Sequence, residues 1–131
     1  MEEITIKTSR QIEMIDITSK VNQRIKEGGI KEGICLIFCP HTTAGITINE
    51  NADPNVVRDI LSSLDQLIPE DRPYLHAEGN SPAHIKSSII GCSTMIIIEG
   101  GRLSLGTWQS LFFCEFDGPR TRSVWIKIIR G

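Results

Sequence analysis

Three histidines are the residues of this chain best suited to chemistry, and none lies inside an apolar run. His41 follows an apolar stretch directly, in Cys39-Pro40-His41-Thr42-Thr43. His76 sits in a polar segment, and His84 falls at the third position of a helix capped by Ser81. Three neutral imidazoles with water in a fourth position suit a zinc-like ion. Their spacing matches no local metal motif, since there is no HxxxH, and it reads equally as three unrelated polar histidines.

Three further clusters carry polar groups at the ends of apolar segments. Gly79-Asn80-Ser81-Pro82 opens a helix, where free N–H groups and the helix dipole favour phosphate; Lys86 and Ser87 follow. The plainer reading there is an ordinary helix cap. Glu115 and Asp117 share one side of a strand, with Arg120 and Arg122 beyond them. They either face a cleft, where they order a base or hold a metal, or form a solvated edge of little energetic weight. In Asn49-Glu50-Asn51-Ala52-Asp53, Asp53 is spent as a helix cap and Glu50 is the free carboxylate.

The elements that must position these groups are legible from periodicity. Ile4–Lys7 and Ile12–Ile15 alternate apolar and polar residues, and Ser9-Arg10-Gln11 between them predicts a hairpin. Ile17, Val21 and Ile25 recur every four residues, with Asp16 before and Gly28-Gly29 after, which predicts a helix. Ile34–Cys39 is a continuous apolar run, expected to be a strand buried on both faces. Gly45–Asn49 resumes as a strand, and Asp53-Pro54 starts a second helix with an apolar stripe from Val56 to Leu64. Pro69–Asn80 is a loop, and a third helix runs from Ser81 to Ile90. Strands are expected at Thr94–Glu99, Arg102–Leu105, Leu111–Asp117 and Ser123–Ile129. The order ββαββααββββ predicts an α+β domain, a mixed or antiparallel sheet sandwich with about three helices, over residues 1–131.

Composition narrows the partners. Fourteen basic and sixteen acidic residues give a formal net charge of −2, and no two basic residues are adjacent. Electrostatic capture of nucleic acid or of an anionic membrane is not expected. The longest apolar run has six residues, and a bilayer-spanning helix needs about 20. The acidic start Met1-Glu2-Glu3 has no apolar segment behind it, so no signal peptide is expected. Cys35 and Cys39 lie on one strand face, roughly 13 Å apart and too far for a disulfide. The four cysteines therefore read as reduced thiols in a cytoplasmic protein.

The blocks Pro40-His41-Thr42-Thr43-Ala44-Gly45-Ile46, Asn49-Glu50-Asn51-Ala52-Asp53-Pro54, His76-Ala77-Glu78-Gly79-Asn80, Ala83-His84-Ile85-Lys86-Ser87-Ser88, Gly101–Gln109 and Asp117-Gly118-Pro119-Arg120 occur in this order. With them the chain resembles, over essentially its whole length, the YjbQ family, the secondary thiamine-phosphate synthase family. The resemblance implies a homotrimer and a divalent metal, zinc-like or magnesium, held by His41, His76 and His84. It also implies a cleft lined by Glu50, Asn80, Ser87, Gln109 and Arg120. The implied reaction joins hydroxymethylpyrimidine diphosphate to thiazole phosphate and releases pyrophosphate. In that reaction Arg120, Lys86 and the donors at Asn80 and Ser81 would hold phosphate oxygens, and Glu50 would position the pyrimidine. A metal-dependent hydrolase and a trimeric metal- or ligand-binding protein without catalysis are the alternatives.

Overall fold

The computed structural model describes residues 1–131. The elements are β1 (Glu2–Lys7), β2 (Glu13–Asp16), α1 (Thr18–Glu27), β3 (Gly33–Phe38), β4 (Ala44–Glu50), α2 (Pro54–Leu67), α3 (Ser81–Ile90), β5 (Ser93–Glu99), β6 (Arg102–Leu103), β7 (Gln109–Glu115) and β8 (Thr121–Arg130). This is the α+β order expected, in one domain. Five strands form an antiparallel sheet in the order β1-β8-β3-β5-β6, and three form another in the order β2-β7-β4.

Apolar residues facing inward from both sheets make the main core. Ile4 and Ile6 of β1, Cys35 and Ile37 of β3, and Val124 and Ile126 of β8 meet Ile46 of β4 and Leu111 and Phe113 of β7. Helix α1 and its cap residue cover the rest of this layer with Ile17, Val21 and Ile25, all fully buried. Asp16 accepts the Thr18 N–H at 2.9 Å, and Gly29 takes a φ of 67° where the chain leaves the helix. A second cluster lies on the other face of the three-stranded sheet. There Phe112, Cys114 and Phe116 pack against Leu64 of α2 and Ala83 of α3.

Two expectations are corrected. The segments Ile4–Lys7 and Ile12–Ile15 do not form a hairpin, because β1 pairs with β8 and β2 with β7, in different sheets. The Glu13 carboxylate accepts the N–H groups of Ser9 (2.6 Å) and Arg10 (2.9 Å), and this bend carries the chain from one sheet to the other. The apolar run at β3 is buried on one face only; Ile34 and Phe38 are 41% and 36% exposed. The strand buried on both faces is β7, whose residues alternate between the two cores.

Candidate functional site

At one end of the β3–β8 pair, β3 runs into Pro40 and His41, which face the loop before β8 and the start of α3. These segments enclose a cavity of about 440 Å³ with no hydrophobic residue in its wall. His41, His76, His84, Asn80, Arg120 and Arg122 line it, with Glu78 and Asp117 as its carboxylates.

His41 Nε2 accepts the backbone N–H of Ser123 at 2.9 Å. That bond requires a lone pair on Nε2, so the ring proton sits on Nδ1 and the imidazole is a donor. Burial, then the nearby Arg122 cation, hold its pKa below the ordinary 6.5. His76 and His84 meet edge to face with ring centroids 5.2 Å apart, and His76 Nε2 lies 3.9 Å from Glu78 Oε2.

Asn80 Nδ2 donates to Asp117 Oδ2 at 2.9 Å, which leaves its Oδ1 buried without a partner. Arg120 is held on one edge: Nε donates to the Asp117 carbonyl at 2.7 Å and Nη2 to Oδ2 at 2.9 Å. Its Nη1 makes no bond within the protein, and the side chain is about half exposed. The turn carrying Asp117 and Arg120 tolerates only glycine at Gly118. A Cβ there would stand 2.3 Å from the Arg10 carbonyl oxygen and 2.9 Å from Thr8 Oγ1.

In the cavity wall, Arg122 Nε donates to Glu115 Oε1 at 2.9 Å, and Nη2 donates to Glu115 Oε2 and to Thr43 Oγ1. Thr8 Oγ1 and the Asp117 N–H also donate to the Glu115 carboxylate. Burial alone would raise the Glu115 pKa, but the donors from Arg122, Asp117 and Thr8 outweigh it and hold the carboxyl below its ordinary value. Glu115 is thus a fully buried anchor and not a solvated edge.

The structure brings together His41, His76, His84, Asn80 and Arg120. Ser81 lines an adjoining hollow with Tyr74 and Ile85 that shares His76 and His84. Helix α3 runs from Ser81 to Ile90, with Asn80 and not Ser81 as its cap residue. The Ala83 and His84 N–H groups bond to the Asn80 carbonyl and Pro82 has none, so Ser81 alone keeps a free N–H in that turn. The expected cradle of free donors is reduced accordingly.

Lys86, Ser87, Glu50 and Gln109 are placed elsewhere. Lys86 is 1% exposed and forms an ion pair with Asp65 of α2. Ser87 Oγ donates to the Ala44 carbonyl at 2.7 Å, tying α3 to β4. Gln109 Oε1 accepts the Gly106 N–H at 2.8 Å and so closes a turn. Glu50 pairs with Gln109 at the far end of β4, six residues from the Ala44–Glu115 pair at the cavity. Six strand residues span about 20 Å. Thr43 and Glu78 were not singled out from the sequence, although both lie within the family-like blocks, and Arg122 was read only as a neighbour of Glu115 and Asp117.

No group of three or more His, Cys, Asp or Glu side chains is arranged to hold a metal ion. His41 Nε2 is engaged by the Ser123 N–H. His76, His84 and Asn80, with its unpartnered Oδ1, line the same cavity, and imidazole nitrogens and an amide oxygen are donor types that a divalent ion takes.

A family profile described as "UPF0047 protein YjbQ-like" matches residues 2–131. This chain belongs to the YjbQ-like UPF0047 family. It is 56% identical to UPF0047 protein MJ1081 of Methanocaldococcus jannaschii, over 95% of this chain and 90% of that one. It is 55% identical to UPF0047 protein YugU of Bacillus subtilis, over 98% of each chain. The crystal structure of a YjbQ/UPF0047 family protein from Clostridium acetobutylicum superposes with a TM-score of 0.95 at 56% identity, covering 98% of this chain and all of that one. No helix is long and apolar enough to cross a membrane.

Proposed function

We propose that this member of the family is a thiamine-phosphate synthase-like transferase, which joins hydroxymethylpyrimidine diphosphate to thiazole phosphate in the histidine–arginine cavity. The observation that carries the reading is a wholly polar cavity in which a protonated His41 Nδ1, an unengaged Arg120 Nη1 and Arg122 meet. Bond cleavage leaves charge on the departing pyrophosphate, and donors fixed in advance around it lower that barrier. Arg120 binds phosphate oxygens through Nη1, and Asp117 keeps the guanidinium aimed. His41 donates its Nδ1 proton in a hydrogen bond to a phosphate oxygen. Glu78 is the cavity carboxylate not tied to an arginine, and it takes the pyrimidine-orienting role first given to Glu50. A divalent ion held by His76, His84 and Asn80 Oδ1 would add charge neutralisation at the phosphate.

This reading includes two further elements. The active form is a homotrimer, supported by the exposed apolar face of the five-stranded sheet. The compartment is the cytoplasm, supported by four free cysteines.

The test is mass spectrometry of products after incubation with the diphosphate alone, the thiazole phosphate alone, and both, with and without divalent metal. A joined product only in the presence of both substrates supports the proposal. Pyrophosphate or phosphate release from single substrates would favour a hydrolase instead, and no turnover in any arm would favour a binding protein.

A further inference from the structure

At the opposite end of the sheet from the histidine cavity, the C-terminal turn of α1 faces the β5–β6 hairpin across a hollow of about 460 Å³. Lys26, Lys31 and Arg102 line it together with Ser19, Asn22 and Gln23, and no carboxylate does. Each of these cations has a carboxylate next to it in sequence or in strand register. Glu27 follows Lys26, Glu32 follows Lys31, and Glu99 is the register partner of Arg102. None of the three cations forms an ion pair with them or with any other acid. Glu27 instead accepts a hydrogen bond from Gln23 at 3.0 Å.

The walls are prearranged. Asn22 Oδ1 accepts the Leu103 N–H at 2.9 Å and fixes α1 against β6. The Gly101 N–H donates to the Lys31 carbonyl at 3.1 Å. The Lys31 ammonium lies over the glycine turn, 3.8 Å from where a Cβ on Gly101 would stand. Gly100 and Gly101 have positive φ values of 59° and 81°, so the turn stays bare of side chains and open to a ligand.

We propose that this hollow is a second ligand site, specific for a small soluble oligophosphate. Three like charges in one concavity repel one another, and a compact ligand with several negative charges relieves that repulsion. In the adjoining hollow, which shares Ser19 and Gln23, Glu3 lines the wall beside Lys20 and Arg24 is paired with Glu2, so an extended polyanion meets carboxylates on leaving the site. Ile30 is the one hydrophobic residue in the lining, so the site offers no apolar wedge for a lipid surface. Partial negative charge at the end of α1 opposes the ligand, but it amounts to about half a unit charge against three full cations.

The probe is inorganic pyrophosphate, followed by amide chemical shifts in the full-length protein. Shifts at Gly29, Gly100 and Gly101 are expected in the native chain and equally in Arg120→Ala, which isolates this hollow from the histidine cavity. The double variant Lys31→Ala/Arg102→Ala, with unchanged circular dichroism, should bind there about tenfold more weakly or less still. Absence of shifts at Gly100 and Gly101 at millimolar pyrophosphate would overturn the proposal, as would shifts that persist undiminished in the double variant. Co-sedimentation with phosphatidylserine-containing vesicles is the second arm. No sedimentation is expected, and vesicle binding that is lost in the double variant would assign the cations to a membrane surface and overturn the soluble ligand.

Discussion

Arg122 and Glu115 join the two sheets through a paired guanidinium and carboxylate, with 6% and 0% of their side chains exposed, and Arg122 lines the cavity. Glu115 ends β7 of the three-stranded sheet and Arg122 belongs to β8 of the five-stranded one. Removing one partner leaves the other charge buried and unpaired. Arg122→Ala and Glu115→Ala should each cost about 3–5 kcal/mol of stability. Urea unfolding of both variants measures this, and losses under about 1 kcal/mol would show that the pair is not the anchor described.

Acid should weaken the fold in two stages. His41 has a folded pKa below 6.5 because burial and Arg122 disfavour its charged form, so protonation favours the unfolded chain. Glu115 is held below its ordinary 4.5, so its contribution is present above that value and lost as pH falls through the folded pKa. Stability is therefore full above pH 6.5, declines below it through His41, and declines further below 4.5 through Glu115. Urea midpoints recorded from neutral pH to about pH 3 give the profile. His41→Gln should flatten its upper stage, and an unchanged upper slope would contradict the assignment.

Arg120 and Ser81 should separate binding from folding. Arg120→Ala removes the Nη1 donor and should weaken pyrophosphate binding in the cavity by about tenfold or more. Ser81 makes no side-chain capping bond, and the cap residue is Asn80. Ser81→Ala should therefore change stability by less than about 0.5 kcal/mol. Pyrophosphate titrations followed at the amides of His41 and Asn80, and thermal unfolding of the two variants, measure these effects, and a reversed pattern would return the site to a plain helix cap.

The outer face of the five-stranded sheet predicts self-association. Ile34 lies beside Ile97 and Ile129 in register, and Met95 beside Leu36. Met95, Ile97 and Ile129 are 67%, 59% and 55% exposed in the single chain. A contiguous apolar patch of this kind marks a contact surface. Light scattering at micromolar concentration should give a trimer mass, and Ile97→Lys should dissociate it. A monomer mass for the native chain would contradict the assembly.

Local rules explain what was readable in the sequence. Asp53-Pro54 starts α2 as its cap-and-proline pattern requires, and Asp53 accepts the Asn55 N–H at 2.9 Å. The switch between two-residue and four-residue periodicity recovered the order of elements. Pairing was not local: Glu2 is the register partner of Ile126, and no alternation pattern in β1 can reveal that. Nor can an apolar run tell β3, half exposed, from β7, buried twice over. Some of the site placements were open to geometry. Lys86 is two residues beyond His84, about 200° around the helix, and so faces α2 and not the cavity. Glu50 and His41 flank opposite ends of β4, which separates them whatever the sheet pairing. The anchoring role of Arg122 stayed hidden because it depends on a buried partner in another sheet.

The most direct measurement is the rate of joined-product formation from hydroxymethylpyrimidine diphosphate and thiazole phosphate by the native chain, Arg120→Ala and Gln109→Ala. Arg120 lines the cavity and Gln109 closes a turn away from it. The account predicts joined product and pyrophosphate in equal amounts from the native chain. It predicts a kcat/KM lower by about tenfold or more in Arg120→Ala and close to native in Gln109→Ala. No joined product from the native chain with both substrates and a divalent metal would contradict it, and so would an Arg120→Ala variant as active as the native protein.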